Sequence, residues 1–304
     1  MGYFEQEDVA NAKEAIKESY RKSYRKTKKD QLRDKLKGSV PNVRFSDIAG
    51  LEKQKREIDL IIRAYKNPEI YRKNNARDYS GILFYGPPGT GKTMLGKAIA
   101  NELETDFIPV KVSDITSKYF GESETILQSY FDVDRKTVLF FDEIDGIASK
   151  RNGNDMEANR RIMSTLLVNL DGIEDNKNII PIAATNRIGD LDEAIIRPGR
   201  FSKLIEVPFP DYNLRKDIFR LKIEKSGKRS KAEGGDGIFN IKVKNDYGAL
   251  ADMAEGFSGA DIEEIIERVK EDKAYGESKG VKGGLIGIDS ISRKIKEYER
   301  MGLI

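Results

Sequence analysis

The stretch from Gly86 to Thr93 reads G-P-P-G-T-G-K-T, an ungapped match to the phosphate-binding loop pattern G-x-x-x-x-G-K-[ST]. Small residues let a chain curl tightly around an anion, and the first turn of a following helix aims unpaired N–H groups at it. On that chemistry Pro88, Gly89, Thr90, Gly91 and Met94 border the phosphates. Lys92 reaches the β- and γ-phosphates, and the Thr93 hydroxyl sits on Mg²⁺. A second stretch runs V-L-F-F into Asp142, Glu143, Ile144 and Asp145. An apolar strand that delivers acids at its C-terminal end puts them in the ligand crevice of an open α/β sheet. Asp142 there binds Mg²⁺ through water, and Glu143 orients and polarises an attacking water, the base role in nucleotide hydrolysis. A third stretch, A-A-T-N, ends at Asn186. It reaches the same end of the sheet, where the amide can bond the attacking water or the γ-phosphate. Arg197 and Arg200 then flank a Pro-Gly turn, placed so that neither is expected to bend back to its own phosphate loop. An arginine supplied in trans raises such a rate by about 10³ to 10⁵. The implied cofactors are ATP and Mg²⁺, at a site shared between subunits.

The elements that must position these residues follow from periodicity. An apolar run, Ile82 to Tyr85, precedes the loop, and a helix-compatible segment from Met94 to Glu104 follows it. Strands are then expected at Phe107–Val112, Thr137–Phe141, Ile179–Ala184 and Leu204–Val207, with helices at 121–132 and 155–170 between them. This alternation is the signature of a parallel sheet covered on both faces. Pro109 argues that its strand lies on an edge, where a missing N–H does no harm. Pro181 is in tension with an internal strand unless pairing starts after it. Beyond Asn213 the pattern reads as a small helical lid: Leu214–Lys225, Tyr247–Ala254, Ala260–Tyr275 and a helix opened by Asp289. Ser258 with Asp261 reads as a capping box at the third of these. The fold class is therefore α/β, with residues 43–210 as the nucleotide-binding body and 211–304 as the lid. Residues 226–246, rich in Gly and Lys, form a long connection in which Ile238–Val243 alternates as a small β-arm would. Loops of that length are usually disordered or functional.

Residues 1–42 form a third unit. Between residues 5 and 37, apolar residues recur mostly every four positions with charge between them and no Pro or Gly, which predicts a long, weakly amphipathic helix. The first 40 residues hold 11 Lys/Arg against 7 Asp/Glu, a net of +4, so the other 264 sum to −1 within the overall +3. Its segment Tyr20–Lys29 carries six bases and two tyrosines. It suits an arm that docks an adaptor, an acidic partner or nucleic acid, and equally a solvated helix face.

Composition removes other chemistries. There is no Cys and no His among 304 residues, so thiol nucleophiles, thiolate metal sites and the H-E-x-x-H zinc site are excluded. Any metal must take oxygen ligands, which suits Mg²⁺. No apolar run approaches the roughly 18 residues of a membrane span. A cytoplasmic location is expected.

These stretches together resemble the classical clade of AAA ATPases, which includes the cell division cycle protein 48 type, the proteasomal ATPases, katanin and spastin. The matching residues are F-S-D-I-A-G-L from Phe45, the phosphate loop, F-F-D-E-I-D, the run from Ala183 to Phe201 and G-F-S-G-A-D-I from Gly256, covering about residues 43–275. The resemblance implies that Asp47, Ile48 and Ala49 border the adenine and that Gly259 and Ala260 approach the adenosine from the other side. It also implies that Asn186 is the first sensor, that Arg197 and Arg200 act on the neighbour's ATP, and that the chain forms a homo-hexamer. In such a ring the first pore loop would be Lys118, Tyr119 and Phe120, followed by Gly121 and Glu122, with Tyr119 gripping a protein substrate in the channel. Phe120 is bulkier than the aliphatic residue common there. A second pore loop is expected in Lys150–Glu157. The implied function is ATP-driven remodelling, unfolding or disassembly of a protein substrate threaded through the pore. A nucleic-acid-handling ATPase, or an assembly switch without threading, are the competing readings. No collar, second ATPase cassette, membrane anchor or zinc site is recognised, so the expected assembly is a minimal single ring.

Overall fold

The computed structural model describes residues 38–76, 80–115, 122–148, 156–174, 178–232, 238–240, 244–281 and 284–301. Five strands, β1 (Ile82–Tyr85), β2 (Asp106–Lys111), β3 (Thr137–Asp142), β4 (Ile179–Thr185) and β5 (Lys203–Glu206), form one sheet. Their order is β2-β3-β4-β1-β5, and every pair is parallel.

Successive side chains on a strand point to opposite faces. Leu83, Leu139, Phe141 and Ala183 share one face and pack with Leu127 and Phe131 of helix Glu122–Phe131 and with Ile162 and Leu166 of helix Met156–Asp171. Ile82, Phe84, Val138, Phe140, Ile182 and Ala184 share the other, against Ile58 and Ile62 of helix Glu52–Lys66 and Leu95 and Ile99 of helix Lys92–Glu102. Helices on both faces leave no wet side, so the central strands read as unbroken apolar runs rather than alternating ones. Each fully buried Leu, Ile or Phe contributes about 1.5–3 kcal/mol. The exposed ion pairs on these helices, such as Arg63 with Asp59, are screened by solvent and add little to this. The sheet's two apolar faces therefore hold the body together. Gly96 lets its helix lie close to the sheet, because a Cβ there would stand 2.6 Å from carbons of the Phe140 ring.

Both prolines find physical solutions. Pro109 lies in β2, which is an edge strand as its sequence required, and its side chain is exposed. Pro181 lies in internal β4, but the β1 ladder begins only at Ile82 opposite Ile182, one residue beyond it. On the β3 side the register runs through Leu139 opposite Pro181, so the expectation of delayed pairing holds for one neighbour and not for the other. The helix after the phosphate loop ends at Glu102 rather than Glu104. Glu104 adopts φ +53, a left-handed conformation that cannot continue a right-handed helix.

Four helices follow the sheet: Tyr212–Ala232, Lys244–Met253, Gly259–Ser278 and Ile288–Arg300. They enclose a core of their own, with Phe219, Leu250, Phe257, Ile265, Ile291 and Ile295 fully buried. That cluster draws on residues 219–298, whereas the two sheet clusters draw on residues 48–207. The capping box is formed, with Asp261 N–H donating to Ser258 Oγ at 3.2 Å and Ser258 N–H donating to Asp261 Oδ2 at 2.7 Å.

Residues 226–246 differ from the expected long connection. The first lid helix continues through Ala232 and the next begins at Lys244, so helix occupies both ends of the segment. Within the described part of the expected β-arm, Phe239 makes a single parallel bridge to Ile286. No described helix is long and apolar enough to cross a membrane. The N-terminal helix of residues 5–37, the pore-loop residues Lys118, Tyr119 and Phe120, and most of the second expected pore loop lie outside the described residues.

Candidate active site

The three chemical stretches come together because β4 lies between β3 and β1. Their C-terminal ends deliver Asp142, Asn186 and Gly86 side by side. The helix after β1 packs on one face of the sheet and helix Met156–Asp171, after β3, on the other. Connections that leave to opposite faces open a crevice at the strand ends, where open α/β sheets bind ligands. Two backbone bonds fix the register of the loops above it: Gly86 N–H donates to Thr185 O at 3.3 Å, and Ile144 N–H donates to Ala184 O at 3.0 Å.

The phosphate loop owes its shape to glycine at two points in particular. Gly86 has φ +143, and a Cβ there would stand 2.1 Å from the Val207 carbonyl oxygen. Gly89 has φ +73, and a Cβ there would stand 2.4 Å from Ser258 Oγ, which belongs to the lid. Lys92 opens the following helix and is 8% exposed. Its Nζ donates to Gly86 O at 2.8 Å and to Pro87 O at 2.7 Å. Burial pulls its pKa below the usual amine value, opposed by the Asp142 and Asp145 carboxylates. The ammonium is thus held inside the loop, with carbonyls as its partners.

Thr93 Oγ1 donates to Asp142 Oδ2 at 3.2 Å, although 49 residues separate them. A hydroxyl and a carboxylate meeting at the mouth of a glycine cradle are a donor set that fits a hard, oxygen-seeking cation such as Mg²⁺. Glu143 stands next to Asp142 in a left-handed conformation, φ +52, with its N–H donating to Asp142 Oδ1 at 3.1 Å. For a residue that is not glycine this is sparsely populated backbone, the kind that clusters at functional sites. Thr185 Oγ1 donates to Asp145 Oδ1 at 2.7 Å and accepts from Arg187 N–H at 2.9 Å, which braces the turn leading out of β4 past Asn186.

A cleft of about 400 Å³ lies over these residues. Glu143, Asp142 and Asn186 line it, as do Pro88 to Met94 of the loop. Asp47, Ile48 and Ala49 line its far end, and Gly259 and Ala260 line the lid side. The lid is tied across the cleft by Ala260 N–H donating to Gly89 O at 3.0 Å and by an ion pair of Lys225 with Asp47 at 2.9 Å. The Asp47 carboxyl is held below the usual range, chiefly by the Arg44 N–H and then by Lys225.

Sequence reasoning did not single out Leu51, Leu214, Ile218, Leu221, Lys222 and Glu263, which also line the cleft. The spacing of Leu214, Ile218 and Leu221 was a signal, but it reads equally as a lid-core stripe. Arg197 and Arg200 do not line this cleft. Their loop reaches the opposite end of the sheet, where Lys203 N–H donates to Gly81 O just ahead of β1 and Arg200 O lies 3.0 Å from where a Gly81 Cβ would be. At about 3.3 Å per residue, four-residue β1 alone separates that end from the phosphate loop by roughly 13 Å.

Residues 82–209 match the family described as ATPase family associated with various cellular activities (AAA). The sequence is 43% identical to a proteasome-activating nucleotidase of Sulfurisphaera tokodaii over 232 residues, which is 74% of this chain and 56% of that protein. It is 42% identical, over the same shares, to the proteasome-activating nucleotidase of Saccharolobus solfataricus. It is 43% identical over 231 residues to a cell division cycle protein 48 homolog of Archaeoglobus fulgidus, covering 74% of this chain and 30% of that protein. The chain thus spans about half the length of the nucleotidases it matches, and less of the third.

Proposed function

Because the chain belongs to the AAA family of ATPases, we propose that it hydrolyses ATP in the cleft between sheet and lid and uses that energy to remodel a protein substrate. The observation that carries this reading is the convergence of the phosphate loop, the Asp142–Glu143 pair and Asn186 on one cleft closed by the lid. The name of two of its relatives, proteasome-activating nucleotidase, points to a protein-handling machine rather than to a nucleic-acid motor.

In the proposed reaction the base lies between Ile48 and the apolar face of the first lid helix. Lys92 Nζ exchanges the Gly86 and Pro87 carbonyls for β- and γ-phosphate oxygens. Thr93 and Asp142 would hold Mg²⁺, which supplies positive charge against the phosphates. Glu143 accepts a hydrogen bond from a water and aligns it with the γ-phosphorus, while the Asn186 amide steadies that water or the leaving phosphoryl group. The water oxygen bonds to phosphorus, the bond to the β-phosphate oxygen breaks, and the water's proton passes to the carboxylate side. Arg197, exposed at the far end of the sheet, acts on the ATP of a neighbouring subunit. The assembly is a homo-hexamer in the cytoplasm, and the Lys118-Tyr119-Phe120 loop grips substrate in its channel. The basic segment Tyr20–Lys29 offers a contact for an adaptor or acidic partner.

Glu143→Gln tests the chemistry. ATP binding should persist while turnover falls by roughly 10²–10⁴-fold, the usual contribution of a positioned base. Undiminished hydrolysis would remove Glu143 from its role. Tyr119→Ala tests the threading: unfolding of a folded reporter protein should fall far more than ATP consumption, and a parallel fall in both would count against a gripping loop.

A further inference from the structure

Resting on the shared ATPase site proposed above, we infer that Arg200 is a positioning residue: clamped by Asp171 of its own subunit, it holds the Asp192–Phe201 loop so that Arg197 alone projects toward the neighbour. The guanidinium is already engaged on both sides. Its Nε and Nη2 donate to Asp171 Oδ1 and Oδ2 at 2.7 and 2.8 Å, a bidentate fork, and its Nη1 donates to Ala194 O at 2.7 Å. Fork pairing of this kind fixes orientation as well as supplying energy. Asp171 is the last residue of helix Met156–Asp171, where the negative end of the helix dipole disfavours a carboxylate. Arg200 offsets that repulsion. Each group draws the other toward its charged form, Asp171 below its usual range and Arg200 above.

The loop has two feet and a tip. Ile195 and Phe201 are fully buried, and Phe201 N–H donates to Ile195 O at 3.1 Å, closing residues 196–200 into an excursion. Ala194 N–H donates to Asp192 Oδ1 at 2.8 Å at the first foot, and Gly199, at φ +94, supplies the reversal beside Pro198. Arg197 lies in the excursion with an exposed side chain, and among the described residues that side chain has no hydrogen-bond or ion-pair partner. Arg200 sits at the second foot, its fork on the helix end and its third bond on the first foot. The two arginines share a motif and differ in every contact.

The test is steady-state ATPase of the full chain carrying Asp171→Asn, Arg200→Gln, Arg200→Lys or Arg197→Ala, alone and mixed with Glu143→Gln subunits. Loss of the clamp lets the tip wander, and a misplacement of about 1 Å costs on the order of a hundredfold. Asp171→Asn should therefore lower kcat by about that factor with little change in KM for ATP. Arg200→Lys, which keeps the charge and loses the fork, should match it, and the Asp171→Asn/Arg200→Gln double variant should be no worse than either alone. Because the misplaced arginine serves the neighbour, mixing Asp171→Asn with Glu143→Gln subunits should restore turnover, which a general folding defect would not allow. Wild-type kcat in Asp171→Asn or Arg200→Lys, with Arg200→Gln inactive, overturns the inference and makes Arg200 a direct contact of the neighbour's phosphates. Failure of the shared site itself is recognised separately, as Arg197→Ala that keeps full turnover or gains nothing in mixtures.

Discussion

The two walls of the cleft are built by opposite means. The phosphate wall consists of strand ends and the loops that leave them, locked by β-ladder register and by Gly86 N–H and Ile144 N–H bonding to β4. The lid wall is a face of helix Tyr212–Ala232 and the capped start of helix Gly259–Ser278, standing on a separate core. Between the walls run specific single contacts, Ala260 to Gly89 and Lys225 to Asp47, with Leu214 packed against Gly50. A wall fixed by the sheet's buried core is suited to holding charge in place. A wall tied by a few polar contacts can change its angle when those contacts are exchanged, which is what the proposed coupling of hydrolysis to movement requires.

The largest expected break in this contrast is Lys92→Ala, which leaves the lid untouched and removes the cation of the phosphate wall. Losing a single preorganised donor costs about 10²–10³ in kcat, to be read in steady-state kinetics beside nucleotide affinity; an unimpaired variant would mean that phosphate is held elsewhere. Gly89→Ala acts at the junction. Its Cβ would meet Ser258 Oγ at 2.4 Å at a φ of +73, whereas a Cβ at Gly91, φ +95, meets nothing within 4 Å. Overpacking costs roughly 1–3 kcal/mol, so Gly89→Ala should weaken ATP binding by more than Gly91→Ala does in equilibrium titration. Equal losses would show that backbone strain, and not contact with the lid, is the cause.

The smallest effect concerns acid. Asp47 has its carboxyl lowered by Arg44 N–H and Lys225, so its stabilising contribution is complete above the ordinary Asp range and is lost as pH falls through the lower folded-state value. Lid closure should loosen in that window, by at most about 1 kcal/mol because the pair is partly exposed. Nucleotide affinity followed against pH should show this, and Lys225→Met should flatten that part of the profile. An unchanged profile would mean that the ion pair does not tether the lid.

Much of the fold was legible because its signals are local. Apolar runs ending in Gly86, Asp142 and Asn186 announced buried parallel strands, Pro109 announced an edge, and Ser258 with Asp261 announced a helix start. The boundaries that differed turned on local backbone, as where Glu104 in a left-handed conformation stops a helix two residues early. The lid's part in the cleft was half visible. Gly259 and Ala260 came with a motif, while Leu214, Ile218 and Leu221 carried a spacing that serves a core stripe or a binding wall equally well.

The sequence by itself determined the chemistry of the phosphate wall, because eight contiguous residues hold the glycines, the lysine and the hydroxyl that an anion requires, and contiguity needs no fold to enforce it. The tertiary structure decided which groups meet. Alternation of strand and helix does not state strand order, and the order β3-β4-β1 is what brings Glu143, Asn186 and the phosphate loop to one cleft, where Thr93 meets Asp142. It also decided the difference between two arginines three residues apart. A bidentate partner 29 residues away, brought close by a helix crossing the sheet, lies beyond any pattern that spacing along the chain can carry.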